Sequence, residues 1–135
     1  MRSPSFIAVM LLALSGPAGA ADPASTDPAR TDPARTDPAS TDPDKYKVLL
    51  DNDRVRVLSY EDLPGARTRE HRHPAFVVYA AAPFKRRLTL GDGRVLTREF
   101  KAGDVIYSNG ETHLGENVGD TPTRVIMVEV KGVAP

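Results

Sequence analysis

The side chains best suited to chemistry in this sequence are three histidines, since the chain of 135 residues contains no cysteine and no tryptophan. His71 and His73 stand two positions apart, and residues two apart on a β-strand project from the same face. Two such imidazoles can each offer one nitrogen to a single metal ion. If the fold brings the strand of His113 beside them, three nitrogen donors converge and leave coordination positions open for water or substrate.

The composition excludes several other kinds of site. Without cysteine the chain forms no disulfide, thiolate metal site, iron–sulfur cluster or cysteine nucleophile. The glycines of Gly91-Asp92-Gly93 mark a hairpin tip and not a phosphate-binding loop. Residues 45–135 carry 15 Lys and Arg against 12 Asp and Glu, and this excess is too small to indicate a nucleic-acid partner.

The elements that must hold these histidines are β-strands. Beyond residue 45 the side chains alternate with period two, as in Val55-Arg56-Val57, and no stretch keeps the apolar period of a helix. Turns that contain glycine or proline separate the strands, and Gly65 and Gly103 are assigned to such turns. Eight or nine short strands in one small all-β domain predict a small barrel or a double-sheet sandwich. The predicted strands cover 45–50, 54–60, 67–73, 75–80, 87–90, 94–100, 105–107, 113–118 and 123–130.

Two segments precede the predicted domain of residues 45–135. Residues 1–20 combine a short positive start, the apolar run 6–14 and the small residues Ala18-Gly19-Ala20, which is typical of a secretory signal peptide. Residues 21–44 repeat Asp-Pro-Ala-Ser/Arg-Thr with period five, and prolines so placed prevent a continuous helix, which predicts a disordered, extended spacer. No later segment is apolar over enough residues to span a membrane, so we expect a periplasmic or secreted protein.

The spacing of the histidines resembles the two sequence motifs of the cupin superfamily. The first cupin motif has a glycine, five residues and then His-x-His, and this chain has Gly65 followed at that spacing by His71-Arg72-His73. The second motif has a glycine, a Pro-x-Gly, a histidine and, after three further residues, an asparagine; this chain resembles it through Gly103, His113 and Asn117. The resemblance covers almost the whole predicted domain. It implies a small cupin barrel, a double-stranded β-helix or jelly roll, that holds a metal and tends to form a homodimer.

The chain departs from these motifs in ways that change the expected ligand set. In cupins three or four residues separate His-x-His from a glutamate ligand, and at the corresponding positions this chain has Val77 and Val78. In the second motif Asn109 and Glu111 replace the proline and the glycine, and one residue is missing before the histidine. The resemblance therefore carries over only the three histidines as ligands. They would hold one divalent transition metal, which can be Fe, Zn, Cu, Ni or Mn.

Three other side chains are candidates for cavity or ligand contacts. Tyr79 shares strand parity with the paired histidines if no bulge intervenes. Glu111 lies two positions before His113 and could serve as a fourth ligand or a base, or else lie exposed in a loop. Asn117 shares the parity of His113 and, by the resemblance, fits a structural residue of the second motif. Further inward-facing candidates are Tyr107, Met127 and Glu129.

These observations leave two main classes of function open. The first is an enzyme, a metal-dependent oxygenase or a related activity on a small organic substrate; cupins that lack the glutamate include three-histidine dioxygenases of thiols and diketones. The second is a non-catalytic module that binds a small ligand or a metal. A third reading is a dimerisation domain that binds no ligand, in which packed side chains would fill the space between the histidines.

Overall fold

A computed structural model describes residues 36–132 of the chain. The predicted signal peptide and most of the predicted spacer lie outside the described residues. Within that range no helix is long or apolar enough to cross a membrane. The elements are α1 Pro38–Thr41, β1 Tyr46–Asp51, β2 Val55–Asp62, β3 His71–His73, β4 Phe76–Ala80, β5 Phe84–Leu90, β6 Val95–Phe100, β7 Val105–Ser108, β8 Glu111–Asn117 and β9 Thr123–Val130.

The strands form two antiparallel sheets. Five strands make one sheet in the order β1-β2-β9-β4-β7, and four make the other in the order β3-β8-β5-β6. The alternation of inward and outward side chains along each strand buries one face of each sheet against the other. The prediction of an all-β fold with nine short strands is confirmed, and it holds to within a few residues at the strand ends, with the largest departure at β3.

Between the two sheets lies an apolar core. Leu58 of β2 is fully buried, and Phe84 of β5 stacks on Phe100 of β6 with ring centroids 4.5 Å apart. The side chains that form the core are Tyr46, Leu58, Tyr60, Phe76, Val78, Ala80, Phe84, Val125 and Met127. Burial of apolar surface is the main stabilising contribution in a domain of this size.

The face of β2 that points into the barrel is not the one that carries Val55 and Val57. Leu58, Tyr60 and Asp62 are buried, and by strand alternation Arg56 shares their face. The valines beside Arg56 face the other way and are half-buried. A half-buried arginine therefore takes an inner position of the sheet, and its charge needs a partner there.

At the end of the predicted spacer the structure differs from the sequence prediction. Pro38–Thr41 form a single helical turn, and the extended residue Asp37 caps it by accepting a hydrogen bond from the backbone N–H of Ser40. Proline is tolerated at the first position of a helix, so a five-residue repeat leaves room for one turn, although not for a continuous helix. Asp42 is buried and accepts a hydrogen bond from the backbone N–H of Arg69 at 3.1 Å. Part of the predicted spacer thus packs on the barrel.

Leu58→Ala tests the position of the core. We expect it to lower the free energy of unfolding by about 2–5 kcal/mol, because it removes a fully buried side chain and leaves a cavity. The matched control is Leu63→Ala, since Leu63 is 68% exposed; its effect should stay within about 0.5 kcal/mol. Urea unfolding followed by circular dichroism measures both, and equal effects of the two changes would contradict the placement of the core.

Candidate metal centre

The pairing of β3 with β8 brings the three histidines together. These strands run antiparallel with His71 opposite His113, Arg72 opposite Thr112 and His73 opposite Glu111. His71 and His73 point into the barrel while Arg72 between them is exposed, as alternation along a strand requires. The register of β3 with β8 therefore produces the predicted convergence of the imidazoles.

The three rings form a compact, buried cluster. The ring centroids of His71 lie 4.8 Å from those of both His73 and His113, and the remaining pair is 5.3 Å apart. Each histidine offers one ring nitrogen, and these nitrogens all lie within 4.8 Å of one another. Their exposed fractions are 0%, 1% and 5% in chain order, so a cation held here would be shielded from bulk water. The three residues could hold one metal ion.

The outward nitrogen of every ring is held by an acceptor. Nδ1 of His71 lies 2.9 Å from the carbonyl oxygen of Arg69. Nδ1 of His73 lies 2.8 Å from Oε1 of Glu129, and Nδ1 of His113 lies 2.8 Å from Oε1 of Glu111. Carbonyl and carboxylate oxygens accept, so each Nδ1 donates its hydrogen, and the lone pair of each neutral ring falls on Nε2. This is the tautomer that metal-binding histidines adopt when a neighbouring acceptor orients them.

Both carboxylates are suited to this role. The hydrogen bond from His113 lowers the pKa of Glu111 below its ordinary value. Burial alone would raise the pKa of Glu129, but the hydrogen bonds from His73 and from Arg56 outweigh it and hold that pKa below its ordinary value. Two ionised carboxylates therefore accept from the rings at neutral pH and make them better nitrogen donors.

The inward-facing Nε2 atoms fit a metal. Nε2 of His73 is buried and has no hydrogen-bond partner among the described residues. An orphaned polar atom of this kind costs about 1–3 kcal/mol, which a bound cation would recover. Nε2 of His71 accepts a hydrogen bond from the hydroxyl of Tyr46 at 3.1 Å. Three neutral imidazole nitrogens suit Fe, Zn, Cu and Ni.

Burial keeps two of the rings in the ligand form. Desolvation, with the neighbouring imidazoles of His73 and His113 acting in the same direction, lowers the pKa of His71 to about 3. Desolvation also lowers the pKa of His73 below its ordinary value, although the hydrogen bond to Glu129 opposes it. A neutral ring is the form that binds a metal, so little deprotonation work is needed at neutral pH.

Three residues of this arrangement were not singled out as site residues in the sequence. Tyr46 supplies the hydroxyl on His71, Glu129 holds His73, and Arg56 donates through Nε to Glu129 at 2.7 Å. Glu129 appeared only as an inward-facing candidate, and the available signal was a carboxylate within the apolar run of the last strand. No local signal marks Tyr46 or Arg56, because their partners lie on strands that are distant in the chain.

Tyr79, one of the three candidate contact residues, is wrongly predicted. It is 48% exposed on the outer face of β4. Strand parity is lost at Pro74, since β3 ends there and β4 belongs to the other sheet. The exposed Tyr107 likewise points away from the barrel interior.

Glu111 and Asn117 both face inward, but they play different parts. Glu111 lines the barrel cavity and holds His113. Asn117 lies at the far end of β8, where its amide nitrogen donates to Oδ1 of Asp62 at 3.1 Å and to the carbonyl of Thr121 at 2.9 Å. These bonds give Asn117 a structural part and no contact with the imidazoles.

A cavity of about 70 Å³ adjoins the cluster inside the barrel. His113 and Glu111 form part of its wall, together with the hydroxyl-bearing rings of Tyr46 and Tyr60. Most of the rest of the wall is apolar, including Phe76, Val78, Phe84, Leu88, Phe100, Ile106, Val125 and Met127. A largely apolar cavity with a few polar groups at one wall is typical of a site for a small molecule.

Comparison with solved structures finds similar barrels. A cupin domain from Bordetella pertussis Tohama I is 28% identical with a TM-score of 0.59, over 64% of this chain and 92% of that one. An uncharacterized conserved protein with a double-stranded β-helix domain from Klebsiella pneumoniae is 25% identical with a TM-score of 0.54, over 67% and 78% of the two chains. A polyketide cyclase from Streptomyces resistomycificus is 26% identical with a TM-score of 0.50, over 67% and 66%. No protein-family model and no curated protein matches the chain.

Glu129→Gln tests the buried carboxylate behind His73. We expect a loss of about 3 kcal/mol in the free energy of unfolding, because Arg56 and the ring of His73 lose a charged partner that is only 2% exposed. The matched control is Glu116→Gln, which removes a partly exposed carboxylate 2.9 Å from Arg87 and should cost less than about 1 kcal/mol. Thermal and urea unfolding measure both, and a smaller loss for Glu129→Gln than for the control would contradict this account.

Proposed function

The chain is a cupin by fold, and on that premise we propose that it is an exported protein that binds one divalent transition metal through His71, His73 and His113. One observation carries the proposal: three buried imidazoles have their outer nitrogens held by acceptors, while Nε2 of His73 has no partner among the described residues. Export rests on residues 1–20, which have the composition of a signal peptide and lie outside the described residues.

We further propose that the metal-loaded protein is an enzyme acting on a small organic substrate, as a metal-dependent oxygenase or a related catalyst. The metal would supply Lewis acidity or redox chemistry at coordination positions that three protein ligands leave open. The chain's own residues would do the rest: the apolar cavity wall would bind the substrate and exclude water. With a metal on Nε2 of His71, the hydroxyl of Tyr46 would be released from that nitrogen and would then offer a hydrogen-bond donor to the substrate. That a chain of this fold, 26% identical, is a polyketide cyclase supports an enzymatic role.

A non-catalytic module that binds a small ligand or a metal is the second candidate, and one observation favours it. Glu111 is the only carboxylate among the described residues that line the cavity, and it is already committed to His113. The described part of the cavity therefore offers no uncommitted general base. A site that only binds a ligand or a metal does not need a residue that transfers a proton.

The first test is metal binding by the three histidines. Protein purified from the periplasm and stripped with chelator should bind one equivalent of Zn²⁺, and each of His71→Ala, His73→Ala and His113→Ala should weaken binding by more than about 100-fold. Arg72→Ala is the matched control, because Arg72 lies between two of the ligands on the same strand but points outward. Isothermal titration measures the affinities, and full affinity in any of the three variants would refute the assignment.

Turnover then separates the two candidates. The protein loaded in turn with Fe²⁺, Zn²⁺, Cu²⁺, Ni²⁺ and Mn²⁺ is assayed for oxygen uptake and product formation with thiols, diketones and phenols. Turnover that disappears in His113→Ala supports the enzyme. Stoichiometric metal binding with no turnover across the panel supports the binding module.

We also propose that the protein forms a homodimer through the outer face of the five-stranded sheet. Alternation along the strands turns one apolar row outward across all five strands, and a second row beside it contains Ile126, Tyr79 and Val105. Apolar patches of this extent are uncommon on monomers. A second copy can present the same rows in turn, as a two-fold interface requires. The first row consists of Leu50, Val57, Val128, Val77 and Tyr107.

Tyr107→Asp tests this interface. Tyr107 is 61% exposed at one end of the apolar row, so a carboxylate there should be tolerated by the monomer and should lower the dimer fraction at least tenfold. Val95→Asp is the control, since Val95 is comparably exposed at 57% but lies on the four-stranded sheet. Sedimentation velocity measures the oligomeric state, and a wild-type protein that stays monomeric at 100 µM (about one hundred times a micromolar Kd) would end the proposal.

A further inference from the structure

A buried, charged side chain lies on the wall of the barrel cavity described above. Arg86 of β5 points inward and is 8% exposed. It lines the cavity together with His113 and Glu111. A buried arginine is rare unless its charge is used, either for a structural ion pair or for a ligand.

The barrel makes room for this guanidinium at a glycine. A Cβ atom built on Gly115 would lie 2.3 Å from Nη2 and 2.5 Å from Nε of Arg86, so no side chain fits there without displacing the arginine. Gly115 follows His113 by two residues on β8 and shares its inward face. The guanidinium of Arg86 therefore lies over Gly115, which is the next inward-facing position on β8 after the proposed metal ligand His113.

Hydrogen bonds within the protein use only some of the N–H groups of Arg86. Nη1 donates to Oδ2 of Asp62 and Nη2 donates to the hydroxyl of Tyr60, each at 2.9 Å. A guanidinium carries five N–H groups, so these two bonds leave three of them. Nε has no hydrogen-bond partner among the described residues. Donors therefore remain for a ligand in the cavity.

Where Arg86 and Arg98 line the cavity, two positive charges face the single negative charge of Asp62. Asp62 neutralises Arg86, and its side chain is fully buried. Arg98 of β6 pairs in register with Arg86, lines the same cavity at an exposed position and makes no ion pair with any described residue. A divalent cation on neutral imidazoles would add to this excess.

We propose that the cavity binds a short carboxylic acid, with its carboxylate on the free N–H groups of Arg86 and Arg98 at the exposed end. Paired N–H donors of a guanidinium match the geometry of a carboxylate. The opposite end of the acid carries an oxygen or sulfur donor and points toward the three histidines; this second contact rests on the proposed metal site, whereas the carboxylate contact does not. A cavity of about 70 Å³ is roughly five times the space that one water needs, which limits the acid to a few carbon atoms.

The experiment compares a carboxylate with its neutral amide. Acetate, lactate and pyruvate are titrated against acetamide, lactamide and pyruvamide, using zinc-loaded and chelator-stripped wild-type protein. We expect each acid to bind at least tenfold more tightly than its amide in both forms of the protein. Lactate and pyruvate should gain further affinity from zinc, because they carry a second oxygen donor. In ¹⁵N NMR spectra the Nε–H resonance of Arg86 should shift with the acids and not with the amides.

Arg86→Lys tests the residue without removing the charge that neutralises Asp62. Lysine lacks the planar pair of donors, so affinity for the acids should fall at least tenfold, while affinity for Zn²⁺ and for the amides stays unchanged. Arg87→Lys is the matched control, because Arg87 is the next residue and points out of the barrel. If Arg86→Lys does not fold, as judged by circular dichroism, the NMR shift in the wild-type protein decides.

Several results would overturn the inference. They are equal affinities for acids and amides, absence of binding by all three acids, or an Arg86 resonance that stays in place while acid binds. Failure of Zn²⁺ to bind, together with acid binding that depends on Arg86, would overturn the proposed metal site and leave the carboxylate site standing. The two proposals can therefore fail separately.

Discussion

The register between β3 and β8 is the constraint on which the site depends. β3 has three residues, and a slip of one position would turn His71 and His73 outward and Arg72 inward. The turn before β8 helps to hold this register, because Gly110 adopts a positive φ of 102° and packs closely on β3. A Cβ atom at Gly110 would lie 2.9 Å from the carbonyl oxygen of His73, so only glycine allows this approach. A short strand is thus placed by backbone packing at its end as well as by its own hydrogen bonds.

The sequence predicts much of this fold because strand alternation and turn residues are local signals. Each of the nine strands overlaps a predicted one, and the β5–β6 hairpin turns at the predicted glycines. Alternation does not say which face turns inward, and on β2 the buried face carries Arg56, whose charge is compensated by Glu129 on β9. The helical turn at Pro38–Thr41 escaped prediction since its stability comes from contacts with the barrel and not from the repeat itself.

The site, like the fold, could be predicted only in part, because some of its residues are marked by local sequence and others come from distant strands. The three histidines are recognisable from their spacing, and their convergence follows from one strand pairing. The groups that orient them come from β1, β8 and β9 and from the loop before β3, so Tyr46 has no signal of its own in the sequence. Tyr79 was misplaced because parity counts fail wherever a chain passes from one sheet to another. Arg86 lies in the basic triplet Lys85-Arg86-Arg87, which carries no local signal of burial, and the open position at Gly115 makes room for it inside the barrel.

A connected line of ion pairs and one hydrogen bond runs from the repeat segment to His73. Asp37, the cap of α1, pairs with Arg56, which also donates to Glu129, and Glu129 in turn accepts from His73. Tension applied to the chain ahead of Asp37 would reach the guanidinium of Arg56 before it reached the backbone of β1. The guanidinium of Arg56 thus fastens Asp37 to the barrel and also holds the carboxylate that orients the ring of His73, so the attachment of the repeat segment and the alignment of this imidazole depend on one side chain.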